Sequence, residues 1–233
     1  MSPEPNAGWD RVLAASVRLQ QLVPDAVLVG GSAAALHVGH RVSLDDDHVL
    51  RDLVERFDDV LDALEAGDGW VTARVKRPVL ILGSLEGVET GIRQLVRQRP
   101  LEVEVVPGPA GAIRVPTVRE MARVKGWLIL QRNATRDYLD FAALADRLGA
   151  GAVSTVVEMD DYYADQRGPG GRRIATQLAK QLAEPAPYDL SEIDLRHYRG
   201  LLARWQDWTE VVAVCRQVAV AVLAGAAEEP GAP

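Results

Sequence analysis

The chain has 233 residues, a formal net charge of −7 and a hydrophobic fraction of 48%. This length suffices for one large domain or two small ones, and the composition is typical of a soluble globular protein. The acidic balance argues against a protein that binds long nucleic acid over its whole surface, although it leaves room for a local basic patch. The single cysteine, Cys215, excludes an internal disulfide and lies on an apolar helical face, where we expect it to be buried.

Neither end of the chain indicates a targeting segment. The first residues, MSPEPNAGWDRV, lack an apolar run behind a basic start, so we expect no secretory signal and a cytoplasmic location. The apolar segment VVAVCRQVAVAVLAGAA is interrupted by Arg216 and Gln217. We therefore expect it to be too polar and too short to cross a membrane, and we expect no membrane partner.

The first predicted elements alternate between helix and strand. The hydrophobic pattern predicts a helix over Trp9–Leu22, which ends ahead of Pro24, and then a short buried strand in DAVLVGG. A helical turn follows with Ser32 as its N-cap, and HRVSLDDDHVL alternates like a strand. An amphipathic helix is predicted over residues 50–67, where Gly67 ends it.

The remaining chain divides into strands and then helices. Three strand-like pieces follow in RPVLILGS, GVETGIRQLV and PLEVEVVPG, and the chain is predicted to be helical from VPTVREM to about Gly225. This order predicts an α+β fold. We expect a mixed core with an N-terminal helix over residues 1–115, a helical domain over 116–227 and a flexible tail over 228–233.

Three consecutive aspartates lie in the strand-like stretch of residues 41–49. Alternation along a strand directs Asp45 and Asp47 to one face and Asp46 to the other. The Cα atoms of the outer pair are then about 6.5–7 Å apart. Carboxylates at this spacing suit two Mg²⁺ ions, which lie about 3.5–4 Å apart in two-metal phosphoryl-transfer sites. The alternative is an acidic turn at the end of a strand.

A glycine pair upstream adds the features of a phosphate site. Gly30 and Gly31 allow backbone N–H groups to approach a polyphosphate, and the helical turn that begins at Ser32 directs its positive end toward it. A lone Asp-x-Asp favours the acidic turn. The two signals together, separated by one helix and one turn, favour a site for a nucleotide with its metal.

This arrangement resembles a known signature. The glycine pair with Ser32, followed by Arg41-x-Ser43-x-Asp45-x-Asp47, is similar to the nucleotidyltransferase signature of the DNA polymerase β superfamily. More narrowly, it resembles the AbiEii-type nucleotidyltransferases, many of which are toxins of type IV toxin–antitoxin systems. The stretch REMARVKGWLILQRNATRDYLDFAALADRLG resembles the helical segment of the same family.

The resemblance implies a polymerase β-like core and roles for the residues that match. Asp45 and Asp47 would hold Mg²⁺, two ions when NTP is bound, and Lys125 would neutralise triphosphate charge. The residues that would bind the β- and γ-phosphates are Gly30, Gly31 and Ser32. Lys125 has the alternative of a solvated surface lysine.

The helical segment carries further candidates. Asp137 would align Lys125 or the attacking group, with an ion pair to a neighbouring arginine, or a helix-start acid, as the alternative. Arg136 and Asp140 have the spacing of an i,i+4 salt bridge, which we favour.

Three questions remain open in the sequence. The family normally has a third carboxylate near the metals, for which the candidates are Glu89, Glu102 and Glu104. The family also has an apolar residue where this chain has Asp46, which we expect to pair with His48 or a nearby arginine. Finally, the arginines within residues 93–123 either contact RNA phosphates or form a solvated face. The loop QRGPGGRR is either a lid over the substrate or a plain loop.

The leading functional hypothesis is a Mg²⁺-dependent enzyme that moves NMP from an NTP to an acceptor hydroxyl. The acceptor is RNA, such as a tRNA 3′ end, or a protein or small-molecule hydroxyl, and a toxin of this kind implies a cognate antitoxin. The alternatives are a catalytically inactive nucleotide-binding or regulatory module, a small-molecule (antibiotic) nucleotidyltransferase and a purely structural domain.

Overall fold

A computed structural model describes residues 7–168 and 170–228. The chain divides into two compact units, which are described separately: unit 1 comprises residues 1–36 and 42–117, and unit 2 comprises residues 37–41 and 118–233. A short segment, His37–Arg41, thus belongs to unit 2 although unit 1 flanks it on both sides. The predicted tail begins inside the last described helix, and its residues from 229 onward lie outside the described range.

Unit 1 is built on a mixed five-stranded sheet with helices. Its elements are α1 (Ala7–Leu22), β1 (Val27–Leu28), α2 (Gly30–Val38), β2 (Asp46–Leu50), α3 (Phe57–Glu65), β3 (Trp70–Lys76), β4 (Leu80–Leu85), β5 (Val88–Gln94), β6 (Val103–Gly108) and β7 (Gly111–Pro116), and the last two residues of α2 belong to unit 2. The strand order is β1-β2-β5-β4-β3. Only the β2–β5 pair is parallel in this sheet, while β6 and β7 form a separate antiparallel pair.

Two predicted elements begin later in the structure, and two observed strands had no prediction. The acidic strand begins at Asp46 and not at residue 41, the following helix begins at Phe57, and neither β3 nor β7 was predicted. The early start of the predicted helix was wrong because Leu50 and Leu53 match the helical period by chance. Both side chains are buried in the core of unit 1, Leu50 from β2 and Leu53 from a turn.

Burial of α1 and α3 against the sheet forms the core of unit 1. Leu19 of α1, Phe57 and Leu64 of α3, and Ile81 and Ile92 of the sheet share one cluster of buried side chains. Each such side chain contributes about 1.5–3 kcal/mol to folding. This packing fixes β2 and β5 next to each other, which determines where the acidic residues lie.

Unit 2 is helical. Its elements after the short segment are α4 (Val118–Arg132), α5 (Thr135–Leu148), α6 (Gly151–Val157), α7 (Met159–Tyr162), α8 (Ile174–Ala183) and α9 (Trp208–Glu228). α5, α8 and α9 share one core, in which Cys215 is fully buried as expected. Burial raises the pKa of the Cys215 thiol to about 12. The strands of unit 1 and the helices of unit 2 together confirm the predicted α+β class.

Helix α9 is more apolar than expected. Its window Trp208–Gly225 has a mean hydropathy of 1.4 and is long enough to cross a membrane, so the expectation that this segment is too short and too polar was wrong by composition and length. One third of the window is buried in the structure, and the core helices of soluble proteins pass the same test. The feature by itself is weak evidence for a membrane span.

Candidate nucleotide-binding site

The three aspartates have different environments, and strand alternation explains the difference. Asp45 is exposed and the Asp47 side chain is 41% exposed, whereas Asp46 is 1% exposed. Asp46 and Asp47 open β2, and Asp45 immediately precedes it. The predicted separation of an outward pair from an inward middle residue is therefore confirmed.

The glycine turn lies against the second outward aspartate. Gly30 begins α2 with φ of +73°, a backbone conformation that favours glycine. A Cβ atom at this position would lie 3.4 Å from Asp47 Oδ2. The Val29 N–H also donates to the Asp47 carbonyl at 2.8 Å. The two halves of the predicted motif, the glycines and the Asp-x-Asp pair, therefore meet in unit 1.

Ser32 is placed differently from the expectation that it caps the helix. The helix begins two residues earlier, at Gly30, so that Ser32 lies within its first turn. Ser32 is fully buried, and its hydroxyl donates to the Asp45 carbonyl at 2.5 Å. In this structure Ser32 therefore fixes the backbone of Asp45. Its predicted contact with phosphate stays a prediction, as does that of the first-turn N–H groups, which have no intrahelical partner.

Asp46 is the centre of a buried polar cluster. Its carboxylate accepts hydrogen bonds from the Ser16 hydroxyl of α1 and, at 2.8 Å, from the Thr90 hydroxyl of β5. The Thr90 hydroxyl also lies 2.6 Å from the Asp46 carbonyl. The expected pairing with His48 takes the form of a contact without a hydrogen bond, since His48 Nδ1 lies 3.7 Å from Asp46 Oδ1. Ser16 and Thr90 were missed because their spacing from Asp46 in sequence gives no signal.

A cavity of about 520 Å³ lies beside the outward pair. Asp45, Asp47 and Glu89 line it, with β3 and β4 residues forming another part of the wall. Asp46 pairs with Thr90 in the parallel register of β2 and β5, and Glu89 precedes Thr90. Because side chains alternate along a strand, Glu89 points to the face opposite Thr90, which is the face of the outward pair. A second cavity of about 300 Å³ also includes Asp45 and Glu89 in its lining.

The other two candidates for a third carboxylate lie elsewhere in unit 1. Glu104 lies on β6 of the separate two-stranded sheet, and Glu102 lies just before that strand. Both are exposed. The register of β5 thus distinguishes Glu89 from Glu102 and Glu104, which sequence spacing alone did not do.

Arg93 brings a positive charge to the same cavity. Its Nε lies 3.9 Å from Asp47 Oδ1, and its side chain is 52% exposed. The sequence placed Arg93 in a basic run without relating it to the aspartates. Its position two pairs beyond Asp47 along the β2–β5 ladder explains the contact.

The carboxylates fit Mg²⁺ in the way this ion is usually held. Among the described residues, no group of three or more His, Cys, Asp or Glu side chains is arranged to hold a metal ion without help. Mg²⁺ is commonly held by one or two carboxylates together with substrate phosphates and water. Asp45 and Asp47, with hard oxygen donors facing a cavity, are suited to that mode and not to a closed protein cage.

The predicted lysine lies in a buried charge cluster of unit 2. Lys125 is 1% exposed, so the solvated-surface alternative was wrong. Its Nζ lies 2.7 Å from Asp140 Oδ2 and 3.4 Å from Asp137 Oδ1. Asp137 is also ion-paired with Arg132, so it contacts both the lysine and an arginine, which the sequence had given as alternatives. The role of Lys125 toward a triphosphate stays a prediction.

Asp140 has partners other than the expected one. Arg136 is exposed, and Asp140 instead binds Arg41 through two hydrogen bonds of 2.7 and 2.9 Å and His40 through one of 2.7 Å. The favoured i,i+4 pair was wrong because Arg41 comes from the His37–Arg41 segment, which sequence distance could not reveal. Burial alone raises the pKa of Asp140, but the charges of Lys125 and Arg41 and the hydrogen bonds hold it well below its usual range.

Comparison with known sequences gives relatives that are described as transport or heme uptake proteins and not as nucleotidyltransferases. No protein-family model matches the chain. It is 33% identical over 237 residues to the heme uptake protein MmpL11 of Mycobacterium tuberculosis, an alignment that covers 94% of this chain and 23% of that protein. The chain therefore spans less than a quarter of the length of the curated relatives it matches.

Comparison with solved structures concerns the fold. A provisionally assigned nucleotidyltransferase from Helicobacter pylori matches with a TM-score of 0.58 and 14% identity, over 98% of this chain and 100% of that one. The antibiotic-resistance factor ANT(2'')-Ia matches with a TM-score of 0.52 and 10% identity, over 69% of this chain and 94% of that one. These likenesses, at low identity, show that the chain has the fold of nucleotidyltransferases.

Proposed function

We propose that the chain is a Mg²⁺-dependent nucleotidyltransferase that moves NMP from an NTP to an acceptor hydroxyl. The observation that supports this most is the meeting of Gly30 with Asp47 at the edge of a cavity that Asp45 and Glu89 also line. Such chemistry requires two parts, a phosphate-binding turn and an outward carboxylate pair. Either part alone could be an ordinary turn, but the two parts side by side favour a site for a nucleotide with its metal.

Each residue has a defined task in this proposal. When bound at Asp45 and Asp47, Mg²⁺ supplies neutralisation of the charge on the phosphates. The backbone N–H groups of Gly30 and Gly31 and the guanidinium of Arg93 bind the β- and γ-phosphates. The acceptor oxygen forms a bond to the α-phosphorus while the bond from that phosphorus to the bridging oxygen breaks, and pyrophosphate leaves.

Glu89 is the base in this proposal. It accepts the proton of the acceptor hydroxyl, because its carboxylate is on the face of the outward pair and is exposed to solvent. A carboxylate so placed shares two cavities with Asp45, one of about 520 Å³ and one of about 300 Å³. Two cavities that meet at one pair of acids suit a reaction with two substrates.

The acceptor in this proposal is RNA, such as a tRNA 3′ end. This choice, a toxin role with a cognate antitoxin and a cytoplasmic location rest on the resemblance of the glycine and aspartate motifs to AbiEii-type enzymes. The structural likeness to an antibiotic-resistance factor keeps a small-molecule hydroxyl as the competing acceptor.

The experiment is transfer of label from α-labelled NTPs with Mg²⁺ to a panel of tRNA acceptors and small-molecule antibiotics that carry hydroxyl groups. We expect Asp45→Asn with Asp47→Asn to reduce transfer by more than about 100-fold, because charge stabilisation of a transition state is worth that much. The matched control is Asp59→Asn with Asp62→Asn, an exposed pair on α3 with the same change in charge. Equal transfer by the two double variants contradicts the proposal.

A second candidate is a nucleotide-binding module that carries out no transfer. The observation that favours it is the alignment of 94% of this chain with a 23% stretch of a protein named for heme uptake. A module of this kind would bind NTP with Mg²⁺ as part of a larger assembly. Tight binding by calorimetry, together with no transfer to any acceptor of the panel, distinguishes it from the enzyme.

A further inference from the structure

Unit 2 contains a cavity that the proposed nucleotide site does not use. Its volume is about 620 Å³, and α4, α8 and the segment before α8 form its walls. None of its lining residues lines the cavity beside Asp45 and Asp47. Residues 166–168, 171 and 172, which belong to the loop that the sequence left as a lid or a plain loop, contribute part of the lining.

The charge of this lining is opposite to that of the chain. Arg167, Arg172 and Lys180 line the cavity, and no aspartate or glutamate does, whereas the whole chain has 33 acidic and 26 basic residues. All three basic side chains are exposed. Within the described part of the chain, none of the three forms an ion pair with a carboxylate.

The arginines of unit 2 differ in this respect, because among the described residues Arg136, Arg147 and Arg199 also form no ion pair with a carboxylate, whereas others do. Carboxylates of the same unit pair with several of them: Arg119, Arg123, Arg132, Arg173 and Arg204. Pairing neutralises a cation and lowers its attraction for an external anion. The three cations of the cavity keep that attraction.

The neutral part of the lining suits a base. Trp127 lines the cavity, and its ring stacks on Tyr163 with centroids 4.7 Å apart and planes inclined by 14°, which holds the indole in place. Gln131 adds an exposed amide, and Gln177 an amide whose nitrogen donates to the Arg172 carbonyl at 3.0 Å. Aromatic rings and amides are the groups that recognise unstacked bases in single-stranded RNA.

The spacing of the cations favours a strand over a single phosphate. Lys180 lies six residues beyond Ile174, the first residue of α8, which corresponds to about 9 Å along the helix. Arg172 lies two residues before the start of that helix, whereas Lys180 lies near its end. Successive phosphates of a strand can contact cations that are spread over such a length of backbone.

We propose that this cavity binds single-stranded RNA, with backbone phosphates on Arg167, Arg172 and Lys180 and a base against Trp127. Binding itself is independent of the chemistry at Asp45 and Asp47. The further conclusion that the bound RNA is the acceptor rests on the proposed function. A mononucleotide has the same phosphate and base chemistry, so the test includes it as a separate arm.

The experiment measures fluorescence anisotropy of a labelled short single-stranded RNA with the full chain over a range of NaCl concentrations. The variant is Arg167→Gln with Arg172→Gln and Lys180→Gln. The matched control is Arg51→Gln with Arg147→Gln and Arg199→Gln, three exposed arginines outside the cavity with the same loss of charge. We expect the cavity variant to weaken binding by roughly tenfold or more and to reduce the slope of log K against log[salt] by about 2, since each phosphate contact of a single strand contributes about 0.7.

Three results overturn the proposal. One is no binding of the RNA by the unsubstituted chain, and another is equal loss of affinity in the cavity variant and the control, which indicates a general charge effect. The third is displacement of the RNA by AMP at equal phosphate concentration, which assigns the cavity to a mononucleotide. RNA binding by an unsubstituted chain that transfers no label to any acceptor supports the cavity and contradicts only the proposed function, and we expect RNA binding to survive Asp45→Asn with Asp47→Asn.

Discussion

The buried contacts of Asp46 give the sharpest prediction for stability. Thr90→Val replaces a hydroxyl with a methyl of similar size and removes the donor that lies 2.8 Å from Asp46 Oδ2. The Asp46 carboxylate then keeps the Ser16 donor but remains 1% exposed, with little access to water. We expect the loss of one hydrogen bond to a buried charged acceptor to lower the free energy of unfolding by about 2 kcal/mol.

The second substitution tests whether the two donors share one partner. Ser16→Ala removes the other hydroxyl, and we expect a loss of about 2 kcal/mol here as well. The double variant leaves the carboxylate without either donor, and because the two bonds converge on one group their effects are not additive. A coupling energy of about 0.5–3 kcal/mol in the double-mutant cycle is the expected signature of this shared carboxylate.

Urea unfolding followed by circular dichroism measures these changes. The control is Thr176→Val, a half-buried threonine in α8 whose hydroxyl forms no hydrogen bond within the described part of the chain, and we expect a change within about 0.5 kcal/mol. If Thr90→Val is no more destabilising than Thr176→Val, the Thr90 hydroxyl does not stabilise Asp46 and the reasoning is refuted. Calorimetry with NTP and Mg²⁺ adds a second measurement, and we expect weaker binding by about tenfold or more because groups behind metal ligands orient them.

Three further predictions concern single residues. Gly30→Ala forces a side chain into a φ of +73° next to Asp47, so we expect a loss of about 1 kcal/mol or more in unfolding experiments and weaker NTP binding by calorimetry. Asp140→Asn should lower the free energy of unfolding at pH 7 by about 3–5 kcal/mol, because Lys125 and Arg41 both lose the buried carboxylate that they contact at 2.7 Å. The pKa of Asp140 is depressed in the folded chain, so its stabilisation is present above the unfolded pKa of about 3.9 and is lost as pH falls through the folded pKa. The urea midpoints of the unsubstituted chain and of Asp140→Asn should therefore converge at acid pH. A difference between the midpoints that stays constant with pH contradicts the role of Asp140 in the cluster. Cys215, whose pKa burial raises to about 12, should resist alkylation at pH 8 until urea unfolds unit 2, and rapid labelling of the folded chain, seen by mass spectrometry, contradicts its burial.

Local pattern was sufficient for part of the candidate site. Alternation correctly separated Asp45 and Asp47 from Asp46, because side-chain direction in a strand depends only on parity. The glycine pair was also predictable as a place where the backbone comes close to another group, since few other residues adopt the backbone conformation of Gly30. Both inferences need only neighbouring residues.

The rest depended on partners distant in sequence. Thr90 is 44 residues from Asp46, and Arg41 is 99 residues from Asp140, so neither contact has a local signature. A nearby arginine at i−4, Arg136, gave a plausible local pair that the structure does not form. Strand order posed the same problem, because β2 pairs with β5 and not with β3, the strand that follows it along the chain.

The assignment of His37–Arg41 to unit 2 has a practical consequence for dissecting the chain. The polypeptide passes from unit 1 into unit 2 and back within six residues before it enters unit 2 again at Val118. No single cut separates the units: a fragment that ends at Thr117 keeps Arg41 and His40 but loses the carboxylate of Asp140 that both contact. Expression of either half alone therefore breaks the ion pair between Arg41 and Asp140. The stability and activity of such a fragment should be compared with those of Arg41→Ala in the full chain before any change is attributed to the missing half.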